Sequence, residues 1–341
     1  TTLFRSFSLV RALQSNWKIE GAGILADAAC ASTLAALEIA CEWLESEVYD
    51  YVLFGGVESG LGPETFASFS KLGVLSAKDS APFTQAASDI IPSDGAALFL
   101  LSRTKPGTKV LAHIRGTMGN SNAESASLFS PSEQRIGELY SWARDSFPKI
   151  DYLECHATST QVGDLAEASA LNQVFASATQ PIPIGSAKAS TGHLLGAAGA
   201  ISLVKTILVL SHRLIPKQRQ PGEWIRQLQA GPIWIPSEPH SLPNSGVLRS
   251  AVFSAGFGGA NYCAVIESAD STQDISIPPA ERTAVVIVGH GACAKSESLE
   301  RCRQMGAHLP PLVLERADRI ALAAISATAE ALERSLLRHG P

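Results

Sequence analysis

The chain has 341 residues, 45% hydrophobic and 17% charged, enough to bury a large core as one α/β unit or as two domains. Its formal net charge of -5 argues against nucleic acid and anionic membranes as partners, because either needs clustered Lys and Arg. Six scattered cysteines, Cys30, Cys41, Cys155, Cys263, Cys293 and Cys302, lack the CxxC pairs of a zinc site and the density of a secreted disulfide scaffold. No metal and a reducing, cytoplasmic setting are therefore expected. The longest apolar stretch, residues 201–210, contains Lys205 and is too short for a membrane span. The start, Thr1-Thr2-Leu3-Phe4-Arg5, has no secretory layout, and its lack of Met points to a segment of something longer.

In chain order, Ile24-Leu25-Ala26-Asp27-Ala28-Ala29-Cys30 reads as an apolar strand delivering a cysteine to the start of a helix, Ala31-Ser32-Thr33. Unpaired amides and the positive end of the helix dipole favour thiolate there, so Cys30 is expected to have a lowered pKa and to act as a nucleophile. The alternative is a small buried thiol, the ordinary state of an unpaired cysteine. Residues 32–47 carry Leu34, Leu37, Ile39, Cys41 and Leu44 at helical spacing. Tyr51-Val52-Leu53-Phe54 reads as a strand stopped by Gly55-Gly56. Further strands are predicted at 96–101, 110–114, 152–154, 182–184, 250–253 and 262–267, with helices at 133–146, 163–175 and 194–210. Alternation of this kind predicts a largely parallel sheet covered by helices on both faces. Residues 268–282 read as a linker, followed by a strand at 284–289 and a helix at 317–337.

The chemistry-bearing residues fall in three further motifs. His156 follows a strand end in Glu154-Cys155-His156-Ala157-Thr158-Ser159-Thr160, where two hydroxyls face a polar, extended ligand or the histidine is simply structural. His193 lies in Lys188-Ala189-Ser190-Thr191-Gly192-His193, read alone as either a site or a helix-capping histidine beside a surface lysine. Gly256-Phe257-Gly258-Gly259 makes a backbone able to approach a ligand and aim an amide at it. The strands ending at Cys30 and at His156 suggest two related halves whose strand ends share one pocket.

In this order and with these neighbours the motifs resemble the β-ketoacyl synthase family, the condensing enzymes of fatty-acid and polyketide assembly. The match runs from about Arg11 to Glu267 and includes Phe54-Gly55-Gly56-Val57-Glu58 and Phe69-Ser70-Lys71-Leu72-Gly73-Val74-Leu75-Ser76. The resemblance implies an α/β, thiolase-like fold of two related βαβαβ halves in a layered α-β-α-β-α arrangement. It implies decarboxylative Claisen condensation, with Cys30 carrying the acyl group and the amides of Cys30 and Phe257 forming an oxyanion hole. His156 and His193 would stabilise the enolate of a malonyl-type extender, Lys188 would order the histidines, and Thr158 and Thr160 would contact phosphopantetheine. That arm belongs to an acyl carrier protein, so no permanently bound cofactor is implied. A homodimer, or a heterodimer with a partner subunit, is implied by the family alone.

Several positions depart from the family pattern. Ala157 and Ser159 replace glycines and are expected to narrow the wall beside His156. Ala260, Cys263, Thr84, Ser88 and Asp94 stand where Thr, His, Asp, Asp and Glu are usual. Only 29 residues precede Cys30, so the first half is incomplete in its usual order. Residues 1–267 thus form a ketosynthase-like core, and residues 283–341 either open a second such domain, the preferred reading, or complete the first half in permuted order. Two other activities stay open: a non-decarboxylating acyltransferase, and a catalytically silent chain-length or structural subunit, although the retained Cys30 argues against the latter.

Overall fold

The computed structural model describes residues 2–58, 61–104, 110–122, 130–229, 231–269 and 285–293. Helix α1 (Thr2–Trp17) has no counterpart among the predicted elements. Helix α2 (Ser32–Glu45) follows Cys30, and strand β1 (Tyr51–Glu58), helix α3 (Pro63–Leu72) and strand β2 (Gly95–Arg103) come next. The second part begins with β3 (Ala112–Ser121), α4 (Glu133–Ser146), β4 (Tyr152–Glu154), α5 (Gln161–Val174) and β5 (Ile182–Gly185). It continues through α6 (Lys188–Thr191), α7 (Ala198–His212), β6 (Leu214–Ile215), β7 (Ile233–Trp234) and β8 (His240–Ser241). Strands β9 (Arg249–Ala255), β10 (Ala260–Ser268) and β11 (Val285–Cys293) complete the described elements.

Nine strands form one mixed sheet in the order β1-β2-β11-β3-β10-β9-β4-β5-β7, while β6 and β8 pair separately. The predicted parallel character holds only across β9-β4-β5-β7, and every other neighbouring pair in the sheet is antiparallel. Part of the reason is local: β9 and β10 are joined by the four residues 256–259, too few for the crossover that a parallel pair requires. Strand β11 inserts between β2 and β3, pairing Val286 with Ser102 on one side and with His113 on the other. The predicted linker residues 270–282 and the helix at 317–337 lie outside the described residues.

Two other expectations need correction. Residues 24–26 join no ladder, and Ile24 and Leu25 are 45% and 43% exposed. No strand lies beyond β1 among the described residues to pair with them. Gly55 and Gly56 do not stop β1, which runs through them to Glu58. Their role is close approach: a Cβ on Gly55 would overlap the Ala97 carbonyl, and one on Gly56 would overlap Thr33 Oγ1 and come within 2.8 Å of Ala197 Cα. The strand therefore packs directly on the helix that follows the nucleophile.

Helices cover both faces, as predicted. Leu34, Leu37 and Leu44 of α2 and Leu203, Ile207 and Leu210 of α7 pack on Phe54, Phe99, Val252, Ala264 and Ile266. Ile136, Leu139 and Tyr140 of α4 and Ala168 and Leu171 of α5 pack on Leu153, Ile184, Phe253, Cys263 and Val265. Residues 252 and 253 thus face opposite layers, as do 264 and 265, which is the two-residue alternation of a sheet buried on both sides. Residues Leu195–His212 have a mean hydropathy of 1.5, sufficient by length and composition for a membrane span. In the fold this segment packs on the sheet, and Lys205 within it is ion-paired to Glu154, so it is a core helix.

Candidate active site

Cys30 is held by a tight turn before α2. The Asp27 carboxylate accepts the Ala29 N–H, Ser32 Oγ accepts the Ala28 N–H at 2.9 Å, and the Ser32 hydroxyl donates to the Ala29 carbonyl. Ala29 takes the left-handed conformation, with φ of 51°, a strained setting for a residue with a Cβ. The cysteine is 7% exposed. Burial pushes its thiol up to about 11, against the pull of Lys188 and of the amides of Phe257 and Cys30 itself, while Glu58 adds to the rise. The lowered pKa expected from the helix start is thus not found, because desolvation outweighs the nearby positive groups.

His193 supplies what the buried thiol lacks. Its Nε2 lies 3.2 Å from Cys30 Sγ, and burial, with Lys188 second, holds the imidazole well below its ordinary range. The pair is therefore a neutral thiol beside a neutral imidazole, with the direction of the hydrogen bond between them set by the imidazole tautomer. The His193 backbone is fixed on both sides, its N–H donating to the Ile91 carbonyl at 2.7 Å and its carbonyl accepting from Ser93 at 3.0 Å. Gly192, at φ 72°, permits this approach, since a Cβ there would lie 2.8 Å from the Ile91 carbonyl.

His156 leaves the end of β4 and meets His193 edge to face, with ring centroids 5.7 Å apart. Its own pKa is lowered well below the ordinary range by burial, then by Lys188 and His193. The turn that presents it is clamped by Glu167, whose carboxylate accepts the amides of His156 and Ala157 at 2.9 and 2.8 Å and the Tyr140 hydroxyl at 2.7 Å. Lys188 is buried, and its Nζ has no hydrogen-bond partner among the described residues. Burial lowers its pKa while Glu154 and Glu167 oppose the shift.

The last element is the turn between β9 and β10. A Cβ on Gly256 would overlap the Ala28 carbonyl, so only glycine lets this turn lie against the nucleophile's own loop. Gly258 and Gly259 have φ of 106° and 88°, and the turn closes with the Gly256 N–H donating to Ala260. The Phe257 amide is thereby aimed at the Cys30 sulfur. Thr158 and Thr160 sit together at the edge of the His156 turn, their hydroxyls 3.0 Å apart. Ala157 and Ser159 do not narrow this wall: Ala157 is packed in the α4–α5 core, and Ser159 turns its hydroxyl to the Ala81 N–H.

Sequence reasoning missed four side chains that hold this arrangement: Glu154, Ser159, Asp164 and Glu167. A signal for Glu154 was present, because a carboxylate inside the otherwise apolar run Tyr152-Leu153-Glu154-Cys155 needs buried partners. Those partners are the Tyr152 hydroxyl, the Ala187 amide and Lys205. Among the described residues no group of three or more His, Cys, Asp or Glu side chains is placed to hold a metal ion.

Two family models match the chain. Residues 12–106 match the N-terminal domain of β-ketoacyl synthase and residues 111–220 its C-terminal domain. The chain belongs to the β-ketoacyl synthase family. A highly reducing polyketide synthase of Aspergillus calidoustus, ausV, is 34% identical over 73% of this ketosynthase chain and 10% of its own length. Pikromycin synthase component PikAIII of Streptomyces venezuelae is 32% identical over 75% of the chain and 17% of its own length. Among solved structures, the ketosynthase from module 6 of the bacillaene synthase of Bacillus subtilis superposes with a TM-score of 0.72 at 26% identity. That match covers 76% of this chain and 50% of the bacillaene domain. The chain therefore spans half of that solved ketosynthase and a small part of the curated synthases.

Proposed function

We propose that the chain acts as a β-ketoacyl synthase in polyketide or fatty-acid assembly, joining a Cys30-bound acyl group to a malonyl-type extender with loss of carbon dioxide. The observation that carries this reading is the convergence on one sulfur of His193 Nε2 and the Phe257 amide, with His156 beside His193. In the first half-reaction Cys30 Sγ bonds to the acyl carbonyl carbon, and its proton passes through His193 Nε2 to the departing carrier thiolate. Charge on the tetrahedral oxygen is met by the amides of Cys30 and Phe257. In the second half-reaction the extender's thioester carbonyl accepts hydrogen bonds from His156 and His193. The bond to the carboxylate breaks, carbon dioxide leaves, and the electron pair remains as an enolate. Its carbon attacks the Cys30 acyl group and expels the thiolate, which takes up a proton from solvent.

Thr158 and Thr160 are the residues we assign to the phosphopantetheine arm of an acyl carrier protein, their paired hydroxyls offering polar contacts to its amides. A dimer follows by analogy with the family. A cytoplasmic setting belongs to the same reading; among the described residues Cys30, Cys41, Cys155 and Cys263 are free thiols. The pairing of β11 (Val285–Cys293) with β2 and β3 supports the permuted-completion reading over a second domain.

Incubation with an acyl thioester and malonyl-carrier protein tests the activity, with Cys30 followed by mass spectrometry and carbon dioxide collected. Both an adduct and gas release are expected. An adduct without decarboxylation would leave a simple acyltransferase, and no adduct would leave a silent subunit.

A further inference from the structure

Three residues other than glycine with left-handed backbone come together near the two histidines: Phe83 at φ 63°, Asp89 at 80° and Ser159 at 69°. A Cβ disfavours this conformation, which persists only where surrounding bonds enforce it. Around Ser159 three bonds enforce it. Its N–H donates to Asp164 Oδ1 at 3.2 Å, its hydroxyl oxygen accepts the Ala81 N–H at 3.0 Å, and its carbonyl accepts the Asp89 N–H at 2.8 Å. Asp164 closes the ring by accepting the Phe83 N–H at 2.6 Å. The side chain is fully buried and turned away from Thr158 and Thr160.

The segment fastened in this way, residues 80–93, is bonded to the second histidine as well. Its Ile91 carbonyl and Ser93 amide bracket His193, and the Ser80 hydroxyl donates to the Lys188 carbonyl at 2.7 Å. One irregular stretch thus touches the Lys188 and His193 loop at both ends, through Ser80 and through Ile91 and Ser93, and the His156 loop in between, through Ala81 and Asp89.

We propose that Ser159 is a positioning residue: by clamping residues 80–93 to the His156 turn, its hydroxyl and carbonyl set the spacing of His156 and His193 in the decarboxylation half-reaction. The proposal rests on the condensation reading, and it gives the serine a task that glycine at this position could not perform. Glycine would take the left-handed turn without strain but would offer no acceptor to Ala81.

The test compares Ser159→Ala, which keeps the Cβ and loses the acceptor, with Ser159→Gly, which loses both, and uses Ser211→Ala on the exposed end of α7 as control. Imidazole nitrogen resonances are recorded on histidine-labelled protein, and Cys30 acylation is measured separately from carbon dioxide release. In both Ser159 variants the His193 resonances are expected to shift, although Ser159 has no bond to His193. Carbon dioxide release, which needs both histidines, should fall by about tenfold, and acylation, which needs His193 alone, by clearly less. Wild-type carbon dioxide release in either variant overturns the proposal, and so does parallel loss of acylation, which would mark general disruption. A defect in Ser159→Ala that Ser159→Gly relieves would trace to strain and also overturn it. If the wild-type protein releases no carbon dioxide, the condensation reading fails, and the clamp is judged on whether the His193 resonances move.

Discussion

Glu154 accepts the amide hydrogen of Ala187 at 2.6 Å, so the carboxylate that ends β4, two residues before His156, also holds the residue that leads into Lys188. The same carboxylate binds the Tyr152 hydroxyl at 2.6 Å and Lys205 of α7 at 2.8 Å. The two histidine-bearing loops and the core helix thus meet at one buried group.

Breaking that junction should be costly and asymmetric. Lys205→Met leaves a buried carboxylate without its cation and is expected to lower stability by about 3 kcal/mol, read from denaturant unfolding. Adding Glu154→Gln to it should recover part of the loss, because the uncompensated charge is gone. A double variant no more stable than Lys205→Met would contradict this account.

The reactivity of Cys30 should follow its burial. With the thiol pushed up to about 11, alkylation by iodoacetamide is expected to keep rising from neutral pH into the alkaline range, with no plateau near neutrality. Lys188→Met removes the group that most opposes this rise, so alkylation at a fixed pH should slow further. A plateau below about pH 9 would show that the sulfur is better solvated than its surroundings indicate.

Asp164 predicts a pH dependence of stability. Burial raises its carboxyl from an ordinary 3.8 to about 8, so the folded protein keeps a proton that the unfolded chain releases. Its contribution is full below the unfolded value and is lost as pH rises through the folded one. The wild type should therefore lose stability relative to Asp164→Asn between about pH 4 and pH 8, as followed by urea midpoints, and a constant difference would exclude the raised value.

Gly256→Ala should separate the oxyanion donor from the nucleophile. The added methyl overlaps the Ala28 carbonyl and pushes the glycine turn away from Cys30. Acylation of Cys30 by an acyl thioester is expected to slow by about a hundredfold, measured by mass spectrometry over time.

His156 and His193 should differ in which half-reaction they serve. His156→Ala is expected to abolish carbon dioxide release while Cys30 still acylates, since only His193 lies in hydrogen-bond reach of the sulfur. Equal loss of both steps would assign His156 a structural role.

The parts that the sequence made legible were those governed by local pattern. Periodicity located α4 and α5 to within a few residues, and apolar runs located most strands that line the site. Strand pairing was not legible, because the direction of β1 against β2, or the placing of β11 between β2 and β3, is decided by contacts far apart in the chain. Glycine was misread at residues 55 and 56 because a turn and a close packing contact look the same without the opposing surface. The pKa of Cys30 was misjudged for a related reason: a helix start is a local feature, whereas the desolvation that outweighs it depends on every element packed around the sulfur.

The placement of the glycine turn has a mechanical consequence. It joins β9 and β10, each hydrogen-bonded to strands on both sides near the middle of the sheet, so the Phe257 amide is mounted on a stiff frame. Cys30, in contrast, leads into α2, whose Thr33 lies against Gly56 of β1, the edge strand of the sheet among the described residues. A donor that cannot drift keeps its dipole oriented as charge builds up, with little reorganisation left to do. Any looseness in the reacting geometry will therefore come from the cysteine's side, and repairs aimed at efficiency belong at the rim of the sheet rather than at its centre.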